Sequence, residues 1–463
     1  LAIADGSNGG LAANYTLSGG THQLTVSQRP VNVSGTRLYN ALATAVASDL
    51  STMTNLVGSE TLTLSSNGTI ASKDVGSNKT VTIGSLSLGN GSNGGLAANY
   101  TLTGGTHRLT VNQRPLNATI ARQYDGTTNA AGSDISSFND LQSSETLTMT
   151  GTGTVSSKNV ANGQSVTVGS LALADGSNGG LASNYSLNSA ALNITQRVLG
   201  SSGSRVYDGT TNASNSDLAL SNLVGSETLT LSGTGTIASK NVSSNKTVTL
   251  NTLAIADGSN GGLAANYTLS SGTHRLTVNQ RPISFSGTRQ YDGTTDAANS
   301  DITLSGLQGG EALALSGTGT IASANVGSGK SVTLNSLSLG DNTGAASNYT
   351  FTGGTHTFDV TQRVLGSSGS RVYDGTTNAS NSDLALSNLV GSETLTLSGT
   401  GTIASKNVSS NKTVTLNTLA IADGSNGGLA ANYTLSGGTH QLTVSQRPVN
   451  VSGTRLYNAL ATA

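Results

Sequence analysis

The stretch LTVNQRPLNATIARQYDG, residues 109–126, decides how the chain is read. Apolar and polar residues alternate on each side of Pro115: Leu109 and Val111 share one face, and Leu116, Ala118 and Ile120 share another. A period of two marks a half-buried strand. Proline inside such a run is tolerated at an edge, a strand start or a break, so Arg114-Pro115 reads as the seam between two units. The Tyr-Asp-Gly that closes the stretch reads as a turn.

Working outward, the same elements return along the whole chain. Tyr124 belongs to a column of Tyr39, Tyr124, Tyr207, Tyr291, Tyr373 and Tyr457, and the other tyrosines form a second column of Tyr15, Tyr100, Tyr185, Tyr267, Tyr349 and Tyr433. Successive members of each column lie 82 to 85 positions apart, so the molecule is an array of one module. Residues 195–270 recur unchanged at 361–436, and residues 1–45 recur at 419–463. With boundaries at the seam arginines, the chain divides into a partial repeat at 1–28, complete repeats at 29–113, 114–196, 197–280, 281–362 and 363–446, and a partial repeat at 447–463. It opens and stops inside a module and has no initiator Met, charged n-region or apolar h-region. The expectation is a window on a longer protein whose targeting signals lie elsewhere.

Within one module, a polar loop follows the YDGTT turn, and ETLTMTGTGTVSS at 145–157 reads as a hairpin around Gly-Thr-Gly. QSVTVGSLALADG at 164–176 supplies another strand, and the Gly-rich loop SNGGLASNY leads to a last run toward Gln196. Six or seven short strands per module, with turn signals every 8 to 12 residues, predict an all-β fold: a tandem array of β-sandwich (Ig-like) modules forming an elongated rod. Helix is expected only as one short turn within 131–145. The alternative is a β-helix or solenoid, which would show a rung period near 20 residues, whereas Tyr, the Arg pair and Glu each occur once per module.

Composition narrows the function. Sixty Gly, four Phe and no Trp leave each module a thin core of Leu, Val, Ile, Ala and Tyr. Twenty-two Lys plus Arg nearly cancel 23 Asp plus Glu, so nothing steers nucleic acid or an anionic surface. The absence of cysteine excludes disulfides, thiol nucleophiles and Cys-ligated zinc, and fits export of an unfolded chain. No apolar run approaches the roughly 18 residues of a membrane span.

VYDGTT at 206–211, SKNV at 239–242, KTVTL at 246–250, NY at 266–267 and QRP at 280–282 occur in an order that resembles the YDG-type repeat of large bacterial surface proteins of the filamentous-haemagglutinin-like adhesin class. That resemblance covers all five complete repeats. It implies an exported Gram-negative protein, a β-rich module and a role as stalk or spacer in an adhesin or matrix fibre. Three departures stand out: Asn40 and Asn458 replace the Asp of the motif, and Ala324 stands in the column of Lys73, Lys158, Lys240 and Lys406.

Several columns invite a chemical reading. Arg29, Arg114, Arg197, Arg281 and Arg363 form one arginine column, and Arg37, Arg122, Arg205, Arg289 and Arg371 a second. The structural reading pairs them with an acidic column, either Glu60, Glu145, Glu227, Glu311 and Glu393 or Asp49, Asp134, Asp217, Asp301 and Asp383, where a guanidinium would hold strand register or the seam. Ligand capture is the functional alternative. Both tyrosine columns are expected in the core, with the hydroxyl on a backbone partner. His22, His107, His274, His356 and His440 read as solvated turn residues, since one His per module without a second ligand is a poor metal site.

ADGSNGG at 4–10, 174–180, 256–262 and 422–428 looks like a calcium loop but carries one carboxylate, and the second copy has Asn90 there, so no cofactor is expected and calcium is the sole one left open. A self-formed Lys-Asn bond would need constant columns, and Ala324 and Gln164 break the two lysine columns. No nucleophile elbow, phosphate loop or carboxylate pair appears, so no enzyme is expected. The function expected is that of a structural stalk or fibre segment, extracellular at the cell surface, with other copies of the chain and a host or neighbouring cell as partners. The alternative is a multivalent array binding glycan or protein.

Overall fold

The computed structural model describes residues 1–457; the rest of the closing partial repeat, Asn458 included, lies outside them. The chain forms two compact units, one of Leu1–Leu199, Asn222–Thr230 and Ile255–Gly272, the other of Gly200–Ser221, Leu231–Ala254 and Thr273–Ala463. Among the described residues there is no α-helix, only short strands and three-residue 3₁₀ turns. Among the described residues no helix is long and apolar enough to cross a membrane.

In the first complete repeat the strands are β1 (Arg29–Pro30), β2 (Asn32–Leu38), β3 (Thr44–Val46), β4 (Thr52–Thr54), β5 (Leu62–Ser65), β6 (Asn67–Ile70), β7 (Gly76–Thr82), β8 (Ser87–Asn90), β9 (Tyr100–Thr101) and β10 (His107–Asn112). Six of them form a mixed sheet in the order β3-β6-β7-β10-β2-β4, with β10 parallel to β2 and antiparallel to β7. Two small sheets, β1 with β9 and β5 with β8, complete the module. Alternate residues of the large sheet, among them Val33, Ile70, Val81, Leu109 and Val111, share one core with Leu62, Leu86 and Leu102 from the smaller layer. The all-β tandem array of about 84-residue units thus holds, with two unequal layers in each repeat.

The alternation read at 109–126 is realised, since Leu109, Val111, Leu116, Ala118 and Ile120 are all buried. The pairing at 145–157 is different from the expected hairpin. Leu147–Thr150 pairs with Ala172–Asp175, while Thr152–Thr154 pairs with Asn129–Ala131. Gly151, at φ +81, lets the chain pass from one layer to the other instead of reversing. In the 131–145 stretch, a 3₁₀ turn at Gly132–Asp134 runs directly into a strand, Ile135–Phe138.

The second repeat shows how loop length edits the topology. From Tyr185 to Arg197 it has 12 positions, against 14 from Tyr100 to Arg114, because NSAAL at 188–192 replaces the longer TGGTHRL at 103–109. Without that turn, Tyr185–Thr195 is one continuous strand, and it pairs in parallel with Arg114–Gln123 along its whole length. Pro115 lies inside that ladder. Pro30 and Pro282 sit in two-residue strands at the same place, a position taken by Val198 and Val364 in the third and fifth repeats.

Candidate functional site

Because β2 and β10 run parallel, their C-terminal ends lie side by side, and β10 leads through Gln113 into the next repeat. Tyr39 follows β2 directly, and its N–H donates to the Asn112 carbonyl at 2.9 Å. The first tyrosine column therefore stands at the seam between repeats, and the second column approaches it from the other side. The rings of Tyr39 and Tyr185 meet edge to face with centroids 5.3 Å apart.

Glu145 closes this seam. Its Oε1 accepts from the Tyr39 hydroxyl at 2.6 Å and from Lys73 Nζ at 2.6 Å, and its Oε2 accepts from the Tyr185 hydroxyl at 2.7 Å. The Tyr185 oxygen in turn accepts from the Gln142 N–H at 3.1 Å. Beside it Asn184, fully buried, accepts from the Val75 N–H at 2.9 Å and donates to Asp74 at 3.0 Å. Two aromatic rings, one carboxylate, one ammonium and one amide thus join residues of adjacent repeats with every polar atom of the glutamate engaged.

The constellation recurs. Glu227 receives Tyr124, Tyr267 and Lys158; Glu311 receives Tyr207, Tyr349 and Lys240; and Glu393 receives Tyr291 and Tyr433. Asn266, Asn348 and Asn432 repeat the amide's role on Val160, Val242 and Val326. Burial pushes the carboxyl of Glu145 up, but Lys73 and the two tyrosine hydroxyls outweigh it and hold the group below the ordinary range. Glu311 is held down in the same way, to about 2. Burial and then the adjacent carboxylate push Tyr185 and Tyr267 up to about 12.

The structure corrects the partners expected for the arginines. Arg29, Arg197 and Arg363 do not meet a carboxylate; each caps the main chain and side chain of an asparagine, Asn55, Asn222 and Asn388. Arg114 and Arg281 cap the carbonyls of Asp140 and Gly306. Arg197, Arg281 and Arg363 also reach back to the carbonyls of Tyr124, Tyr207 and Tyr291 in the preceding repeat.

The second column pairs with the Asp of the Tyr-Asp-Gly turn, as in Arg122 with Asp125, Arg205 with Asp208, Arg289 with Asp292 and Arg371 with Asp374. In the first repeat Asn40 replaces that Asp, and Arg37 meets Asp49 at 3.3 Å, the one copy among the described residues in which the expected arginine–aspartate column pairing forms. The glutamates are left to lysine and tyrosine.

Other expectations divide in the same manner. Tyr39, Tyr100, Tyr124, Tyr185, Tyr207, Tyr267, Tyr291, Tyr349 and Tyr433 are buried and Tyr373 is half-buried, but Tyr15 and Tyr457, in the partial repeats, are exposed, against the core position expected for both columns; the hydroxyls at the seams bond to glutamate rather than to main-chain acceptors. Glu60 accepts from the hydroxyl of Tyr100 within its own repeat.

Three of the histidines are not the solvated turn residues expected: His107, His274 and His440 are buried, with Nε2 of His107 and His440 donating to the carbonyls of Leu102 and Leu435. His22 alone is exposed, and His356 is half-buried.

In the Gly-rich loops, Asp175, Asp257 and Asp423 each accept the first N–H of a 3₁₀ turn, at Ala182, Ala264 and Ala430. Asn90 does the same for Ala97, which explains why an amide serves there. Among the described residues no group of three or more His, Cys, Asp or Glu could hold a metal ion. The asparagines before the second tyrosine column, Asn184, Asn266, Asn348 and Asn432, carry no chemical signal in the sequence beyond their constancy beside Tyr.

Five stretches of the chain, 20–107, 106–193, 190–275, 273–357 and 360–441, match the YDG domain. The chain belongs to the YDG domain family. No curated protein matches it. Among solved structures, the N-terminal eight Ig domains of Down syndrome cell adhesion molecule isoform 1.30.30 are similar at 9 % identity and a TM-score of 0.13, covering 91 % of this chain and 62 % of that one. So low a TM-score carries no inference for these YDG domains.

Proposed function

We propose that this run of YDG domains is a stalk or fibre segment of a secreted or cell-surface bacterial adhesin, or of an extracellular matrix filament, in the filamentous-haemagglutinin-like class. Its role is mechanical spacing, without catalysis, at the surface of a Gram-negative cell. The reading rests on the seam: between complete repeats, the tyrosines of both columns, the glutamate and its asparagine neighbour are consumed in joining one repeat to the next. At the seams that keep their lysine, Glu145, Glu227 and Glu311, the groups so engaged are unavailable to a ligand, while the contacts they make are those an array joined end to end needs.

Copies of the same chain in a fibre or bundle, and a host or neighbouring cell reached through regions outside this segment, are the partners of this reading. Its test is a glycan and protein array probed with the purified segment. No saturable binding is expected. A defined glycan bound by every repeat would replace the stalk with the multivalent array.

A further inference from the structure

Among the described residues, three of the four seams between complete repeats hold a lysine ammonium against the glutamate, and the fourth has Ala324 in that column. Lys73, Lys158 and Lys240 place Nζ 2.6 to 3.0 Å from Oε1 of the glutamate and 5.7 to 5.8 Å from the centroid of the first tyrosine ring. The fourth seam keeps everything else. The Tyr291 hydroxyl donates to Oε1 of Glu393 at 2.7 Å, the Tyr433 hydroxyl donates to Oε2 at 2.6 Å, and the rings meet at 5.4 Å.

Room for the missing group is also present. From Gly179 and Gly261, a Cβ would meet Lys73 Nζ and Lys158 Nζ at 3.7 Å, whereas at the equivalent Gly427 nothing lies within 4 Å. The guanidinium beside this seam, Arg363, does not take the lysine's place on Glu393: it donates to the main chain and side chain of Asn388 and to the Tyr291 carbonyl.

We propose that the Tyr291–Glu393–Tyr433 seam binds a primary alkylammonium group, the chemistry of a lysine side chain or of the end of a polyamine. The carboxylate is already oriented by two hydroxyl donors, Oε1 has one donor fewer than its counterparts, and the Tyr291 ring offers the face over which the sister ammonium groups sit. An –NH₃⁺ satisfies both the acceptor and the ring. A quaternary ammonium satisfies only the ring. The site is additional to the stalk role, which requires no ligand.

The test is NMR of the full chain with labelled tyrosine, titrated with n-butylammonium chloride and, at equal ionic strength, with sodium and tetramethylammonium chlorides. Tyr291 and Tyr433 signals are expected to shift saturably with butylammonium, with a Kd on the order of 10 mM for so small a ligand. Ala324→Lys should abolish the shift while the thermal transition is kept or raised. Lys240→Ala should create a second responding pair, Tyr207 and Tyr349. An Nα-acetyl-lysine amide arm separates the sources: a response assigns the site to protein lysines as well as free amines, and silence beside a butylammonium response confines it to free amines. Equal shifts from sodium or tetramethylammonium, no response to butylammonium, or a response that survives Ala324→Lys overturns the proposal.

Discussion

At the scale of single residues, the glutamate of each seam matters more than its lysine. Lys158 is 37 % exposed and Glu227 is 7 % exposed, so the ammonium is solvated while the carboxylate is not. Lys158→Ala is expected to cost about 1 kcal/mol or less, as exposed ion pairs do. Glu227→Ala leaves two tyrosine hydroxyls without their acceptor and should cost about 2–4 kcal/mol. Urea unfolding of both variants checks the order, and a lysine variant costing as much as the glutamate variant would refute it.

The same carboxylates set an acid limit. Their folded pKa lies below the unfolded one, so their contribution is complete above the unfolded value and is lost as pH falls through the folded one. For Glu311 that window runs from 4.5 down to about 2. The seam tyrosines act in the opposite sense: Tyr185 and Tyr267 are raised from 10.0 to about 12, and their contribution fades as pH rises across that interval. Thermal melts against pH, with tyrosinate absorbance followed on the alkaline side, should show both limbs. Melting that is flat from pH 5 to 2 would contradict the acid limb.

At the scale of elements, close approach rather than turn propensity fixes certain glycines. An added Cβ at Gly262 would fall 2.0 Å from the Thr228 carbonyl oxygen, and the equivalent Gly180 and Gly428 face Thr146 and Thr394 in the same way. Gly262→Ala should therefore destabilise by about 1–3 kcal/mol or more, the cost of forced overpacking. Its neighbour Gly261, at φ +86, should tolerate Ala poorly for a conformational reason instead. Comparing the two by denaturant unfolding tests the clash, and a neutral Gly262→Ala would remove it.

The edges of the first repeat's large sheet, β3 and β4, are three residues long, which limits pairing with another chain. Self-association into fibres is accordingly expected to be weak and concentration-dependent, and sedimentation over a hundredfold range measures it. A strict monomer throughout would exclude it.

For the whole molecule, the seams predict coupling between neighbours. The pair 29–196 keeps the Tyr39–Glu145–Tyr185 contact, whereas 114–196 alone loses Tyr39 and Lys73 from Glu145. The pair should melt several degrees above the single repeat, as linear arrays with favourable interfaces do. Equal melting temperatures would show the seam to be energetically idle.

The sequence by itself determined the period, the all-β class, the buried alternation at 109–120 and the burial of the tyrosines that stand at seams between complete repeats, because period-two patterning and large rings in an aromatic-poor chain leave few alternatives. It could not determine partners. That Leu147–Thr150 pairs with Ala172–Asp175, that arginine takes main-chain carbonyls and the Asp of the turn, and that glutamate collects tyrosines and a lysine from two repeats depends on which distant segments the parallel β2 and β10 bring to one seam. Local pattern encodes which face of a strand is buried; the contact between residues 106 positions apart, as between Tyr39 and Glu145, exists only once the layers have closed.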